Sequence, residues 1–264
     1  MTFQPVIPTG GLVGWRFLQR TYDSQFQAFS NSNINERENR YFLENIGKIE
    51  TAEQLVSDRR LLQVALGAFG LEGDLDNRFF IRKILEDGTS ADDALSNRLA
   101  DKRYREFSDA FGFGPGQVRR TGFASLMEQV AQDSMTARFE ISVGESDETM
   151  RIALYAQHAL TELAQENVST DTKWFDLMGL PPLRSMMETA LGLPSSFGQL
   201  DIDKQLVEFK DRLLRLTGSE DLAQFTEEDA VTRLTDTYLA RSQIAQLQDT
   251  ISPAQTALFL LGAG

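Results

Sequence analysis

The chain has no cysteine and a single histidine. Without thiols it can form no disulfide, no thiolate nucleophile and no cysteine-based zinc or iron–sulfur site. That absence suits several compartments and fixes none. The lone histidine, His158, has no Glu-x-x-His neighbourhood and no Gly-x-Ser-x-Gly elbow anywhere to serve. It is read as a structural or surface residue. Runs of alternating polar and apolar residues are missing, and so are turn-bounded clusters of Val, Ile and Thr, which argues against a sheet. No stretch approaches the roughly 20 apolar residues of a membrane helix. The start has no basic segment, is interrupted by Pro5 and Pro8, and is not a signal peptide pattern. The expected compartment is the cytoplasm, with export by a signal-less route as the alternative.

Positive charge is also scarce. Lys and Arg number 26 against 39 Asp and Glu, a formal net charge of −13. Such a surface opposes phosphate backbones and anionic lipid, so neither nucleic acid nor membrane insertion is expected.

What is present is helical periodicity over 264 residues, enough for one large core or two smaller ones. The densest patterning lies in residues 58–104. Leu61, Leu62, Ala65, Leu66 and Phe69 make one amphipathic helix, with Ser57 or Asp58 as its cap. Gly70 and Gly73 bracket a turn. Asp74 or Asp76 is expected to cap a second helix carrying Phe79, Phe80, Ile84 and Leu85. A third is expected from residues 90–93 through Leu95, Leu99 and Tyr104 to Phe111, stopped by Gly112, Gly114, Pro115 and Gly116. Helices are also expected at 36–49, 124–141, 147–166, 174–180, from Pro181, from Asp201 or Asp203, and at 227–249. The fold class is therefore mostly α and multihelical.

Short matches recur in order. Ala65-Leu66-Gly67 answers Ala190-Leu191-Gly192, and Asp74-Leu75-Asp76 answers Asp201-Ile202-Asp203. Asp93-Ala94-Leu95 answers Asp229-Ala230-Val231, and Arg98-Leu99-Ala100-Asp101 answers Arg233-Leu234-Thr235-Asp236. Two related repeats packed into one globular unit are expected. The division reads as an amino-terminal arm at 1–25, repeats at 26–120 and 121–250, and an apolar tail at 251–264. Trp15, Phe17 and Leu18 are the arm's apolar side chains; they strap the core or dock another subunit.

Motif chemistry is thin. The Asp-x-Asp pairs lack an EF-hand's later ligands: Leu85 and Arg212 stand where the bidentate glutamate belongs. The glycines at 112–116 follow a helix and lead to no Gly-Lys-Ser/Thr, so they are a turn and not a P-loop. No cofactor is expected. The remaining candidate is a concentration of cations, Arg59, Arg60, Arg98, Lys102, Arg103 and Arg105, in an acidic chain. Arg59, Arg60, Lys102 and Arg103 could hold an acidic partner segment or a small anion. They could equally form ion pairs with Asp58, Asp101 and Glu106.

The run YFLENIGKIETAEQLVSDRRLLQVALGAFGLEGDLDN at 41–77, LADKRY at 99–104 and FGFG at 111–114 resemble the domain-of-unknown-function family 1217. PVIPTGGLVGWRFLQRT at 5–21 and RFEISVGESDETMRIAL at 138–154 are similar to its members too. The resemblance implies a helical fold, often in two copies, in alphaproteobacteria and in the genomic setting of flagellar components. It brings no catalytic residue with it. The expected role is a non-enzymatic interaction or structural protein with a protein partner, expected to be flagellar. The alternatives are a small-anion binder or enzyme built on the arginines, and a regulatory helical protein unconnected with flagella.

Overall fold

The computed structural model describes the backbone of residues 3–250 and the side chains of residues 3–247. Among these residues there are thirteen α-helices, four short 3-10 turns and no strand. In order the helices are α1 (Gly11–Ser30), α2 (Asn33–Asn45), α3 (Ala52–Ser57), α4 (Arg59–Gly67), α5 (Arg78–Asp87), α6 (Leu95–Arg98) and α7 (Arg103–Phe111). There follow α8 (Ala124–Gly144), α9 (Glu148–Gln165), α10 (Thr170–Gly179), α11 (Pro181–Ala190), α12 (Ile202–Thr217) and α13 (Glu228–Thr250). The fold is all-α and multihelical. The apolar tail read at 251–264 lies outside the described residues.

Several starts are set by side-chain caps. Thr51, Asp58, Asp147 and Ser169 each accept an amide of the first turn of α3, α4, α9 and α10. Pro181 occupies the first turn of α11, where a missing amide costs nothing. Two expected caps are not made. Asn77, not an aspartate, precedes α5, and Asp201 precedes α12 without a side-chain bond. The expected third helix is also broken. Leu99 is extended, and Asp101 accepts the Arg103 amide to begin α7 afresh.

Contacts divide the described chain into two units, residues 3–6 with 21–143, and residues 7–20 with 144–250. The first unit extends beyond the connector near residue 120 because α8 belongs to its core. Met127, Val130 and Ala131 join Phe42, Leu55, Leu62, Leu66, Ile84 and Phe107 in one apolar cluster. Farther along α8, Phe139 meets Tyr22, Phe26 and Phe29 edge-on. Arg138 donates to Asn35 and pairs with Glu38, fastening α8 to α2.

In the second unit α9, α11 and α13 pack against one another. Trp174 of α10 stacks on Phe209 of α12 at 5.5 Å, and its indole Nε1 donates to the Glu220 carbonyl at 3.0 Å. A buried indole is thereby packed on its face and satisfied at its edge.

The two units share an order of elements. Each has a longer helix, two short ones, a 3-10 turn and a further helix, α2, α3, α4 and α5 in one and α9, α10, α11 and α12 in the other, the first with an additional 3-10 turn after α2. The end of α4 and the end of α11 are alike in atomic detail. Gly70 and Gly192 both take positive φ, 64° and 66°. Their amides donate to Gly67 and Thr189, and the next amides, Leu71 and Leu193, donate to Leu66 and Glu188. This is the same left-handed helix stop twice. Matching these two stops pairs Ala68-Phe69-Gly70-Leu71 with Ala190-Leu191-Gly192-Leu193. It lies three residues from the match read in the sequence, which used Gly67. Gly67 lies inside α4 and faces Ser134.

The arm is shorter than its sequence implies. Residues 3–8 have no regular structure, and α1 begins at Gly11. Trp15 and Leu18 are 1% and 0% exposed and Phe17 is half-buried, so these side chains are core of the second unit and not a docking segment. Trp15→Ala is expected to cost about 3–5 kcal/mol in urea unfolding, as for other buried aromatics; an exposed docking residue would leave the midpoint unmoved.

Candidate interaction surface

Of the four cations singled out by sequence, Arg59 and Arg60 begin α4 and Lys102 and Arg103 stand at the start of α7. Asp58 caps α4 through Oδ1, which accepts the Arg60 and Leu61 amides at 3.0 and 3.1 Å. Its Oδ2 accepts the Tyr41 hydroxyl at 2.6 Å. Arg60 lies over that tyrosine, its guanidinium carbon 3.6 Å from the ring centroid. Arg59 pairs with Asp76 at 2.5 Å on the exposed surface. Arg103 sits past the other end of α4, about 13 Å of helix away. Its Nη1 donates to the Gly70 carbonyl at 2.6 Å, and Nε and Nη2 donate to Asp101 at 3.0 and 2.7 Å. Lys102 is exposed just before α7.

Arg103 is thus a fastener. Its guanidinium closes the α4 stop, whose carbonyl would otherwise face solvent, and Asp101 holds the plane of the group. Tyr104 extends the same seam: its hydroxyl donates to Asp74 at 2.5 Å, and its ring meets Phe80 edge-on at 5.2 Å. Asp74 also accepts Asn77 Nδ2 at 2.7 Å. The Asp-x-Asp pair at 74–76 serves an amide, a tyrosine and an arginine.

These contacts fix how α5 is presented. Ile81, Ile84 and Leu85 are fully buried and Phe80 leans on Tyr104. Phe79, Arg82, Lys83 and Glu86 occupy the opposite stripe. Phe79 is 84% exposed, at the start of the helix. Ion pairs rim it: Arg59 with Asp76, and Arg82 with both Glu53 and Glu86. A large apolar side chain held out on a rigid helix and surrounded by charged pairs is the pattern of an interface anchor. Covering it would gain about 1.5–3 kcal/mol. Sequence reading counted Phe79 with the core of this helix. The spacing itself carried the signal, because Phe79 shares the i, i+3, i+4, i+7 stripe of Arg82, Lys83 and Glu86.

The family described as protein of unknown function (DUF1217) matches residues 68–231. The chain belongs to this family. The matched segment includes α5, α7 and the caps that place them. A crystal structure of an Agrobacterium tumefaciens protein has a similar fold, with a TM-score of 0.72 over 92% of this chain and 99% of that one at 21% identity. No curated protein matches the chain. Among the described residues no helix is long and apolar enough to cross a membrane.

Replacing Arg103 by Met should cost about 1–2 kcal/mol in chemical unfolding, the worth of charge-assisted hydrogen bonds. The same change at the exposed Arg59 should cost under about 0.5 kcal/mol. Equal losses would contradict the fastening role. A second expectation concerns alkali. Burial, then the bond to Asp74, pushes the Tyr104 phenol up to about 12, and burial does the same for Tyr22 and Tyr238. The fold favours the protonated phenols. Their contribution is complete below the ordinary value near 10 and is lost as pH rises from there through 12. Ultraviolet titration should show these tyrosines ionising late, and Tyr104→Phe should remove one late-ionising group; a titration unchanged by that substitution would contradict the assignment.

Proposed function

We propose that the protein acts by binding other proteins, without catalysis, and that its partner belongs to the flagellar apparatus. The observation that carries the binding half is Phe79, held outward on α5 and rimmed by ion pairs. It supports a partner surface with an apolar recess edged by charges of both signs. The paired rim favours register and orientation over strength. The flagellar half rests on what the family resemblance implies, a genomic setting shared with flagellar components. The arginines first singled out do not favour an anion site, since Arg59, Arg60 and Arg103 each have an internal partner.

Two measurements test the two halves separately. Deleting the gene in a flagellated host should reduce swimming and filament number; normal motility with intact filaments would remove the flagellar half. Complementation with Phe79→Asp should fail although the variant keeps its helicity and stability within about 0.5 kcal/mol, as expected of a surface change. Full rescue by that variant would remove α5 as the binding surface.

A further inference from the structure

A recess opens in the first unit at the far end of the outward face of α5. It encloses about 430 Å³, within the size range of small-molecule sites. Leu95, Ala94 and Pro115 supply apolar lining, and Lys83, Asp93 and Arg98 supply charge. The wall formed by residues 88–94 is fixed by side chains from three directions. Ser96 Oγ, fully buried, donates to the Gly88 carbonyl at 2.6 Å. Asn97 Nδ2 donates to the carbonyls of Thr89 and Ala91 at 2.9 and 2.8 Å. Gln117 Nε2 donates to the Thr89 hydroxyl at 2.7 Å. A loop so held needs little ordering when something binds, which lowers the cost of binding.

The charges of the recess divide into used and unused. Lys83 pairs with Asp87 at 2.6 Å, and Glu86 with Arg82 at 2.7 Å. Arg98 has no ion-pair or hydrogen-bond partner among the described residues. Asp93 adds to the negative field at Lys83 but forms no ion pair or hydrogen bond among them. One cation and one carboxylate thus remain unused in the same apolar-lined recess.

We propose that this recess binds a zwitterion with an aliphatic body, an α-amino acid or a short peptide, with its ammonium at Asp93 and its carboxylate at Arg98. The two opposite charges select for a ligand that carries both. An anion would satisfy Arg98 but be repelled by Asp93, Glu86 and Asp87, and a cation would meet the converse at Arg98 and Lys83. The apolar lining from Ala94, Leu95 and Pro115 favours an aliphatic side chain over a polar one. Exposed charge contacts are individually weak, so a dissociation constant of roughly 0.1–10 mM is expected. The site shares Glu86 with the charged rim around Phe79 but uses neither Phe79 nor Arg82, and it does not depend on the protein-binding reading.

The test is a nuclear magnetic resonance titration of the isotope-labelled full chain with leucine and with leucyl-leucine. Saturable shifts confined to amides near residues 83–98 are expected with at least one of them, and the tighter of the two identifies the ligand as amino acid or peptide. N-acetyl-leucine and leucinamide, each lacking one charge, should bind roughly three- to fivefold more weakly, as should the zwitterion to Arg98→Gln and to Asp93→Asn. Both substitutions are on the surface and leave the helices intact. Absence of saturable shifts with both zwitterions overturns the proposal, and so does equal binding by the single-charge compounds or by the two variants.

Discussion

Short helices are the constraint that governs this molecule. α3 has 6 residues and α4 has 9, lengths at which an isolated helix is unstable in water. They persist because each end is closed and each apolar face is covered. The left-handed stop at Gly70 turns the chain back after α4, and the Arg103 guanidinium then closes on the carbonyl that the turn leaves pointing outward. Tyr104, the next residue, ties Asp74 and Phe80 to the same seam. The rotation of α5, and hence the exposure of Phe79, follows from that chain of contacts. In the second unit Arg241 lies where a side chain on Gly192 would sit.

A cluster of cations in an acidic chain invites a reading as a ligand site. Here the charges resolve into different tasks. Arg60 stacks on Tyr41, Arg59 bridges to Asp76 and Arg103 fastens a helix end. Arg98 alone of the cations lining the recess beside α5 is left without a carboxylate. The functional value of a charge depends on whether the fold has already neutralised it, since an ion pair made internally has little to offer a ligand.

Much of the architecture was legible in residue spacing. Asp58, Asp147 and Pro181 mark helix starts, and Gly112 marks a stop, because capping chemistry is local and needs only a few neighbouring residues. The errors fell where a distant residue competed. Asp74 and Asp76 have the character of caps, yet Tyr104 and Arg59 claim them. The helix expected to run from residue 90 to Phe111 breaks because Asp101 engages the amide and guanidinium of Arg103. Trp15, placed in an extended arm by the neighbouring prolines and glycines, belongs to a 20-residue helix and a core. Phe79 was misplaced for a different reason: hydrophobicity was weighed above its angular position on the helix.

The amino-acid sequence by itself determined that this protein is all-α, that it belongs among DUF1217 proteins, and where most helices start and stop. Those properties follow from periodicity and from contacts between residues a few positions apart. Only the tertiary structure decided which charges are spent and that Phe79 is left outside. Arg103 and Gly70 are 33 positions apart, Tyr104 and Asp74 are 30, and Arg98 and Asp93 stay unpaired among the described residues because of which elements come to lie beside α5. Pairings over such separations depend on how helices pack, and composition and spacing do not encode that directly.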